Sequence, residues 1–377
     1  MVLLSRCFTF VSGKCAKVSA LRRARSGRPG EHHDMSAARA PLIGITCNSV
    51  VHTDADLHFD LDTRFRMVRD AGVFDYIERS PPPHELEAHV RASERYGIPI
   101  RAGGFYYTAG RDEALLEWHL RVAHYLGAGV QNVQLAVADI AGRPLSDEKI
   151  ARIYLRAYEI GEPLGVTPCF EVHVNMWSEQ FDRVERVADL VRRQGVLFSI
   201  TLDPSHVIFK IDNPGELGAH GLGEAIAAGR LILDPAIEGN IIGRWISGNL
   251  VAHAHARPAV PNNPRNVWGK HPNGQTGRGI QYPFEAPPAG TWHAHWQAES
   301  LEPWKRVFRM LLEHHACHPA SRLKNISTEI LPFPDYGAGA RYSLFDDSVA
   351  CARWLRSTWS DVSCNQTTPS IEHAQDL

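Results

Sequence analysis

The sequence has 377 residues, of which 44% are hydrophobic and 22% are charged, and its formal net charge is −2. This balance lacks the strongly basic character of nucleic-acid-binding domains, and no apolar run of 18 residues is present to cross a membrane. The seven cysteines are widely spaced with no C-x-x-C pair, which indicates reduced thiols in a cytoplasmic protein rather than a disulfide framework or a zinc ribbon.

The chain begins with a segment that differs from the rest. Its first 30 residues hold seven Lys or Arg and no acid, and residues 1–40 are predicted to lie outside the core. An organelle transit peptide has this composition, and the alternative is an over-long start with Met35 opening the true chain. Residues 360–377 are predicted to be a polar tail. The folded domain is therefore expected to span residues 41–359.

Short apolar runs alternate with longer amphipathic segments throughout this domain. Eight runs are predicted to be strands, at residues 42–47, 74–78, 98–105, 132–138, 167–174, 197–203, 249–256 and 325–331. The segments between them have apolar residues at three- and four-residue steps, as helices do. Eight alternating strands and helices predict an α/β fold of the (β/α)8 TIM-barrel type. A doubly wound open sheet is the rival fold, but it often has a glycine-rich first turn, which TCNSVVHT does not provide.

Two connections are too long to be simple barrel loops. One follows predicted strand six (residues 212–248), and the other follows predicted strand seven (residues 258–300). The second insertion is rich in Pro, Gly, Asn and aromatic residues. Because the loops that follow barrel strands lie over the catalytic face, this insertion is predicted to cover the substrate, with Trp292 in contact with it.

Ionisable side chains occur at the ends of the last four predicted strands. They are Glu171 and His173 on strand five, Asp203 and His206 at strand six, His253 and His255 on strand seven, and Glu329 on strand eight. Within each strand pair, residues two apart are expected to point to the same side. Singly, such a histidine is more often a core residue and such an aspartate a turn residue. As a set they fall where barrel active sites lie.

Three of these side chains are carboxylates that would meet at one mouth. Glu171, Asp203 and Glu329 are expected to converge with no Arg or Lys at those strand ends. Buried carboxylates are costly unless they are paired or bind a metal. One divalent metal, bound by these three and one imidazole, would balance them. Oxygen-rich ligation suits Mn²⁺, Mg²⁺ or Co²⁺ better than structural zinc, and Zn²⁺ is the further option.

Short motifs in this order resemble the xylose isomerase-like TIM-barrel superfamily. They are EVHVNMWSE, LDPSH, HAHAR, TGRGIQYPF and STEILP, and the resemblance covers about residues 41–359. It implies a metal bound by Glu171, Asp203, His255 and Glu329. It also implies that His206 and Arg257 contact substrate oxygens and that the two glutamates act as acid and base. His173 is placed with the substrate-binding residues, and it is alternatively a partner that orients Glu171 or a core residue.

The activity implied by the resemblance is the isomerisation or epimerisation of a ketose or keto-polyol. The metal would chelate a carbonyl and the neighbouring hydroxyl, and one glutamate would remove the proton between them to give a cis-enediolate. The alternatives are a dehydratase or lyase of an oxidised sugar, an endonuclease IV-like repair enzyme, and a non-catalytic barrel. The endonuclease would need histidines at strands two and three, and YIERS and AGGFYYTAG contain none.

The expected partner is a small sugar or keto-acid. The sequence has no cluster of Lys and Arg that would indicate a phosphate-binding site, so the substrate is expected to be unphosphorylated. No nucleic acid or membrane is expected to bind, and the expected assembly is a homodimer or homotetramer.

Overall fold

Eight parallel strands close into a barrel. The computed structural model describes residues 39–218 and 221–364. Around the barrel the strands follow the order β1-β10-β7-β6-β5-β4-β3-β2. Their bounds are β1 (Leu42–Thr46), β2 (Tyr76–Glu78), β3 (Ile100–Tyr107), β4 (Val130–Leu135), β5 (Thr167–Glu171), β6 (Ile200–Leu202), β7 (Val251–Ala256) and β10 (Asn325–Thr328). The predicted TIM barrel is confirmed.

Helices follow the barrel strands. Their bounds are α1 (Leu61–Ala71), α2 (Leu86–Tyr96), α3 (Glu113–Leu126), α4 (Asp147–Gly161), α5 (Asp182–Arg192), α6 (Ser205–Ile208), α7 (Pro214–Leu217), α8 (Leu222–Ala227), α9 (Ile241–Ser247), α10 (Glu302–Cys317) and α11 (Leu344–Cys364). None of the helices in the described ranges is both long and apolar enough to span a bilayer.

The predicted terminal segments are only partly described. Residues 1–38 of the predicted extension lie outside the described residues, and so do residues 365–377 of the predicted tail. Residues 360–364 continue α11. The proposed bounds of the folded domain therefore stay a prediction at both ends.

Local capping signals set the helix boundaries. At the start of α1, the side chain of Asp60 accepts the N–H of Thr63 at 2.7 Å. The helix ends at Gly72, whose backbone is left-handed with φ of 65°. Glycine adopts this conformation without the steric cost of a Cβ. At α4, Ser146 caps through the N–H of Lys149. Such short-range signals are why helix ends could be located from the sequence.

Strand five is shorter than predicted. The strand ends at Glu171, and His173 lies in the loop beyond it. The expectation that these two side chains share one side of a strand is therefore wrong, because strand alternation stops at Glu171. In contrast, β7 contains both His253 and His255, and both side chains reach the same carboxylate, as described below.

The long insertions after strands six and seven are present. The first forms short helices α7, α8 and α9, and Ile242 and Trp245 of α9 are fully buried. In the second, β8 (Asn266–Lys270) and β9 (Thr276–Gly277) form an antiparallel hairpin. A Cβ on Gly277 would lie 1.7 Å from the carbonyl oxygen of Pro334, so only glycine allows this approach. The motif TGRG thus packs the insertion against the segment that follows β10.

A buried carboxylate holds the second insertion to the last helix. Asp347, in the first turn of α11, accepts the N–H of Phe284 at 2.8 Å and that of Glu285 at 3.0 Å. Burial raises the pKa of Asp347 to about 7, against the opposing effect of these two donors. The carboxyl group is therefore partly protonated in the folded state near neutral pH.

Asp347→Asn should change how stability depends on pH. Since the folded pKa is raised, the folded state favours the protonated acid. This contribution is complete below the unfolded pKa of about 3.9 and is lost as pH rises through about 7. We expect the melting temperature of the wild type, minus that of Asp347→Asn, to fall by several degrees between pH 5 and pH 8, measured by circular dichroism. Asp346→Asn, on the exposed neighbour, is the control. A difference that stays constant with pH would contradict the assignment.

A buried ion network joins the loops after β5, β6 and β7. The Nζ of Lys210 lies 2.9 Å from Oε1 of Glu179 and 3.3 Å from Oε2 of Glu216. Arg278 of the second insertion contacts both of these carboxylates. Lys210 has no exposed surface. Removing one charge from a buried network leaves its partners poorly compensated.

Lys210→Met should destabilise the protein strongly. Breaking a buried ion pair costs about 3–5 kcal/mol, and Arg278 remains to offset part of it, so we expect a loss near the lower end. Urea unfolding followed by fluorescence would measure the change. Lys270→Met, at an exposed position of β8, should shift the midpoint little. Equal midpoints for the two variants would show that the network does not stabilise the fold.

Candidate metal centre

Four buried side chains meet at the C-terminal mouth of the barrel. Glu171 ends β5, Asp203 follows β6, His255 lies in β7 and Glu329 follows β10. These strands are neighbours in the barrel, so their ends come together. One ligand atom from each side chain lies within 4.8 Å of the others. Glu329, at 7% exposed, is the most accessible of the four.

The donor set fits a divalent cation. The Nδ1 of His255 lies 3.2 Å from Oε1 of Glu171 and 2.9 Å from Oε2 of Glu329. Oδ2 of Asp203 is buried and accepts no well-aligned hydrogen bond. Three carboxylates and one imidazole are a hard, oxygen-rich set, which suits the metals expected from the sequence. The four predicted ligands are thus brought together, and their binding of a metal stays a prediction.

His255 is oriented by a carboxylate on the opposite side of the barrel. Its Nε2 lies 3.1 Å from Oε1 of Glu78, at the end of β2. His253, two residues earlier, directs its Nε2 to Oε2 of the same glutamate at 3.0 Å. Metal-binding histidines usually hold a carboxylate or carbonyl on their second nitrogen, which fixes the ring. Glu78 therefore turns Nδ1 of His255 toward the other three ligands.

Sequence reasoning missed Glu78. Glu78 ends β2 within the motif YIERS, whose lack of histidine is what sets it apart from the repair endonucleases. A carboxylate in the last position of a buried strand was the available signal. Burial would raise the pKa of Glu78, but His255 and His253 hold it well below its ordinary value. The group is therefore ionised and acts as an acceptor for both rings.

Two amides on β4 hold Glu171. Asn132 and Gln134 donate to its Oε2 at 2.6 and 2.7 Å. Burial alone would raise the pKa of Glu171, but His255 and Asn132 are among the groups that bring it well below the ordinary value. One carboxylate oxygen is therefore fixed by amides, and the other faces His255.

Arg257 corrects the expectation that no basic residue stands at these strand ends. It follows β7 directly and turns back into the mouth, where its Nη1 lies 2.9 Å from Oδ2 of Asp203. Its Nη2 donates to Oε2 of Glu329, and its Nε donates to the backbone carbonyl of the same residue at 3.0 Å. The guanidinium also lies 4.1 Å from the ring centre of Tyr336. The guanidinium of Arg257 therefore balances part of the negative charge of Asp203 and Glu329.

The other two predicted histidines lie beside this arginine. Nη1 of Arg257 donates to Nε2 of His206 at 3.0 Å, and the ring of His206 lies 4.0 Å from that of His173. Burial, together with the nearby guanidinium of Arg257, holds the pKa of His206 well below its ordinary value. His206 is therefore neutral and completely buried. The Nε2 of His173 pairs with the hydroxyl of Tyr336 at 3.2 Å.

A cavity of about 610 Å³ opens above the centre. Its wall includes His173, His255, Arg257 and Glu329, whereas Glu171, Asp203 and His206 lie beneath the wall. The remaining lining residues come from the loops after β1, β2 and β10 and from β3, α3 and β4: Thr46, Cys47, Asn48, Glu78, Arg79, Ser80, Pro82, Pro83, Gly104, Phe105, Leu115, Trp118, His119, Asn132, Gln134, Leu331, Phe333 and Tyr336.

Trp292 does not line this cavity. Its ring packs edge-on against Tyr282 and Tyr342, with centroid distances of 5.9 and 6.1 Å. None of residues 258–300 is among the lining residues of this cavity. The predicted substrate contact of Trp292 has no support from its position, because its ring fills an aromatic cluster instead.

Known structures share this fold at low sequence identity. No protein-family model and no curated protein matches the chain. A D-allulose 3-epimerase from Methylomonas sp. in complex with D-allulose is 13% identical, with 87% of this chain and 99% of that chain covered and a TM-score of 0.50. An L-ribulose 3-epimerase is 13% identical, covering 89% and 100%, with a TM-score of 0.50.

A xylose isomerase domain protein from Planctomyces limnophilus is 12% identical, covering 86% of this chain and 99% of that chain, also with a TM-score of 0.50. The chain has the xylose isomerase-like TIM-barrel fold. The predicted resemblance is confirmed at this level. At such identities the likeness establishes the fold alone, so side-chain roles are argued from the geometry of the centre.

Glu78→Gln should weaken metal binding without abolishing it. The amide removes the negative charge and one of the two acceptor oxygens, so His255 is held less firmly in its orientation. Loss of such an orienting partner typically costs about 10–100-fold in metal affinity. Isothermal titration with Mn²⁺ would measure it, with Asp203→Asn as the reference in which a proposed ligand is removed and binding is lost. Glu85→Gln, outside the cavity, is the control. Unchanged affinity in Glu78→Gln would show that Glu78 does not position the ligand.

Proposed function

We propose that the protein is a divalent-metal-dependent isomerase or epimerase of a sugar-like substrate, acting by proton transfer. The observation that carries the proposal is the placement of two glutamates about one histidine nitrogen. Glu171 and Glu329 approach Nδ1 of His255 at 3.2 and 2.9 Å from different strands. Solved epimerases of D-allulose and L-ribulose share the fold, which supports the reaction class.

The metal would be held by Glu171, Asp203, His255 and Glu329. When bound, a divalent ion polarises a carbonyl and the adjacent hydroxyl and so acidifies the carbon between them. The buried centre at the floor of the cavity keeps bulk water away from this carbon. The protein's own task is then to hold carboxylates in their ionised form and to place one on each side of that carbon.

The two glutamates are held in different ways. Glu329 reaches the cavity, and Arg257 donates to its Oε2. Glu171 is completely buried, with one oxygen fixed by the β4 amides. Because Glu329 reaches the cavity, it can take a proton directly from the substrate. Glu171 acts on the opposite face of the substrate carbon, from beneath the cavity wall.

Polar groups of the cavity wall fit a polyhydroxylated substrate. His173, Arg257 and Gln134 place donors and acceptors around the same opening. Arg257 is fixed by Asp203, Glu329 and the ring of Tyr336, so it can orient a substrate oxygen without moving. We propose that it does so. His206, beneath the wall, supports Arg257 rather than touching substrate directly.

Glu171→Gln and Glu329→Gln should each lower turnover by about 10²-fold or more, the usual scale for removing a general base. Each amide keeps the size of the side chain. Turnover of a ketose panel, incorporation of solvent deuterium and metal content should be measured in the same samples. One variant is expected to exchange the substrate's proton from a single face without completing the reaction.

Glu313→Gln, a change on the solvent side of α10, is the control for the glutamate substitutions. Near-normal turnover in both site variants with metal retained would reject the two-base mechanism. The products distinguish the neighbouring reaction class, because a dehydratase or lyase would release a dehydrated or cleaved compound and no isomer.

A further inference from the structure

The charged side chains around the cavity are paired, with one exception. Glu78 is paired with His253 and His255, and Arg257 with Asp203 and Glu329. Arg79 lines the same cavity at the end of β2. Within residues 39–218 and 221–364, its guanidinium makes a single long hydrogen bond, from Nη1 to Oδ1 of Asn48 at 3.4 Å, and no ion pair.

The Nε of Arg79 is a second donor that lacks an acceptor. This atom is buried and has no hydrogen-bond partner among the described residues. A donor withdrawn from water without a replacement acceptor costs free energy, more so when it carries charge. The nearby Arg64 shows the contrast, because its guanidinium donates to the carbonyls of Cys47, Val50 and Leu57 and serves the backbone.

The surroundings of Arg79 would strengthen a charge pair. Phe105, Leu115 and Trp118 form an apolar part of the cavity wall, together with Pro82 and Pro83. Apolar walls lower the local dielectric, so an anion entering beside a guanidinium is held more firmly than at an open surface. Among the described residues of the wall, the carboxylates of Glu78 and Glu329 already contact His255 and Arg257, so neither is left to compete for Arg79.

We infer that the substrate of the proposed isomerase carries a carboxylate and that Arg79 binds it. This inference rests on the proposed function and narrows its substrate to acidic sugars such as uronates. The planar guanidinium presents Nε and Nη donors in a fork that matches the two oxygens of a carboxylate. Among the described residues neither Nε nor Nη2 of Arg79 makes a hydrogen bond, so both donors remain for a ligand. A single arginine suits one carboxylate better than a phosphate, which usually takes more cations.

The test compares sugars that differ only in one terminal group. Protein loaded with Mn²⁺ would be titrated calorimetrically with D-tagatose and D-tagaturonate, and with D-fructose and D-fructuronate. At least one uronate should bind about 10–100-fold more tightly than its neutral partner, the range expected for a hydrogen-bonded charge pair. Arg79→Gln should remove this advantage while leaving the neutral sugar unaffected, and Arg79→Lys should keep only part of it. Arg91→Gln, an exposed change on α2, is the matched control.

Several results would overturn the inference. They are equal affinity for uronate and neutral sugar, an advantage that survives in Arg79→Gln, no binding of either uronate, or tighter binding of D-tagatose 6-phosphate than of D-tagaturonate. Turnover measured in parallel separates this inference from the proposed function. Uronates held through Arg79 but never isomerised would reject the isomerase and keep the carboxylate site. If neutral sugars are isomerised and Arg79→Gln does not change the binding of the uronates, the carboxylate site is rejected and the isomerase is kept.

Discussion

Three carboxylates share one buried space at the mouth of the barrel, where basic side chains and amide donors contact them. Bringing such groups together without water is unfavourable unless cations and donors replace the lost hydration. His255 contacts Glu171 and Glu329, and Arg257 contacts Asp203 and Glu329. The three carboxylates come from three different strand ends, and His255 and Arg257 both come from the end of β7. The centre therefore exists only when the barrel is closed, and the register of the strands is part of its chemistry.

Arg257 gives this balance a particular form. It neutralises Asp203 and Glu329 from one side, and His255 stands between Glu329 and Glu171 on the other. A divalent ion would complete the compensation rather than provide all of it. Three carboxylates at this mouth therefore do not by themselves demand a metal, because Arg257 already compensates two of them. The feature that favours a metal is the donor set of three carboxylates and one imidazole, whose ligand atoms lie within 4.8 Å of one another.

The fold and the four proposed ligands followed from the sequence because both depend on short-range patterns. Apolar runs mark buried strands, and a residue at a strand end keeps its place whatever the loops do. Glu78 also stands at a strand end, but its role depends on contacts with His253 and His255, which lie 175 and 177 residues away along the chain. The contacts of Arg257 with Asp203 and Glu329 could not be predicted, because the path of a chain leaving a strand is set by tertiary contacts. The direction of Trp292 could not be predicted either, because its insertion has no periodic pattern.

The network of Lys210, Glu179, Glu216 and Arg278 has a consequence for how this barrel can diversify. TIM barrels commonly acquire new specificities by exchanging one loop at a time on a constant frame. Here the loops after β5, β6 and β7 share buried charges. Replacing any one of these loops would therefore leave charged groups of the other two without partners. Exchange is least restricted after β1, β2 and β3, because the segment after β10 packs against Gly277 of the second insertion. The residues of β1, β2 and β3 and of the segments that follow them also form most of the cavity wall, so variation there can alter ligand choice without disturbing the buried network.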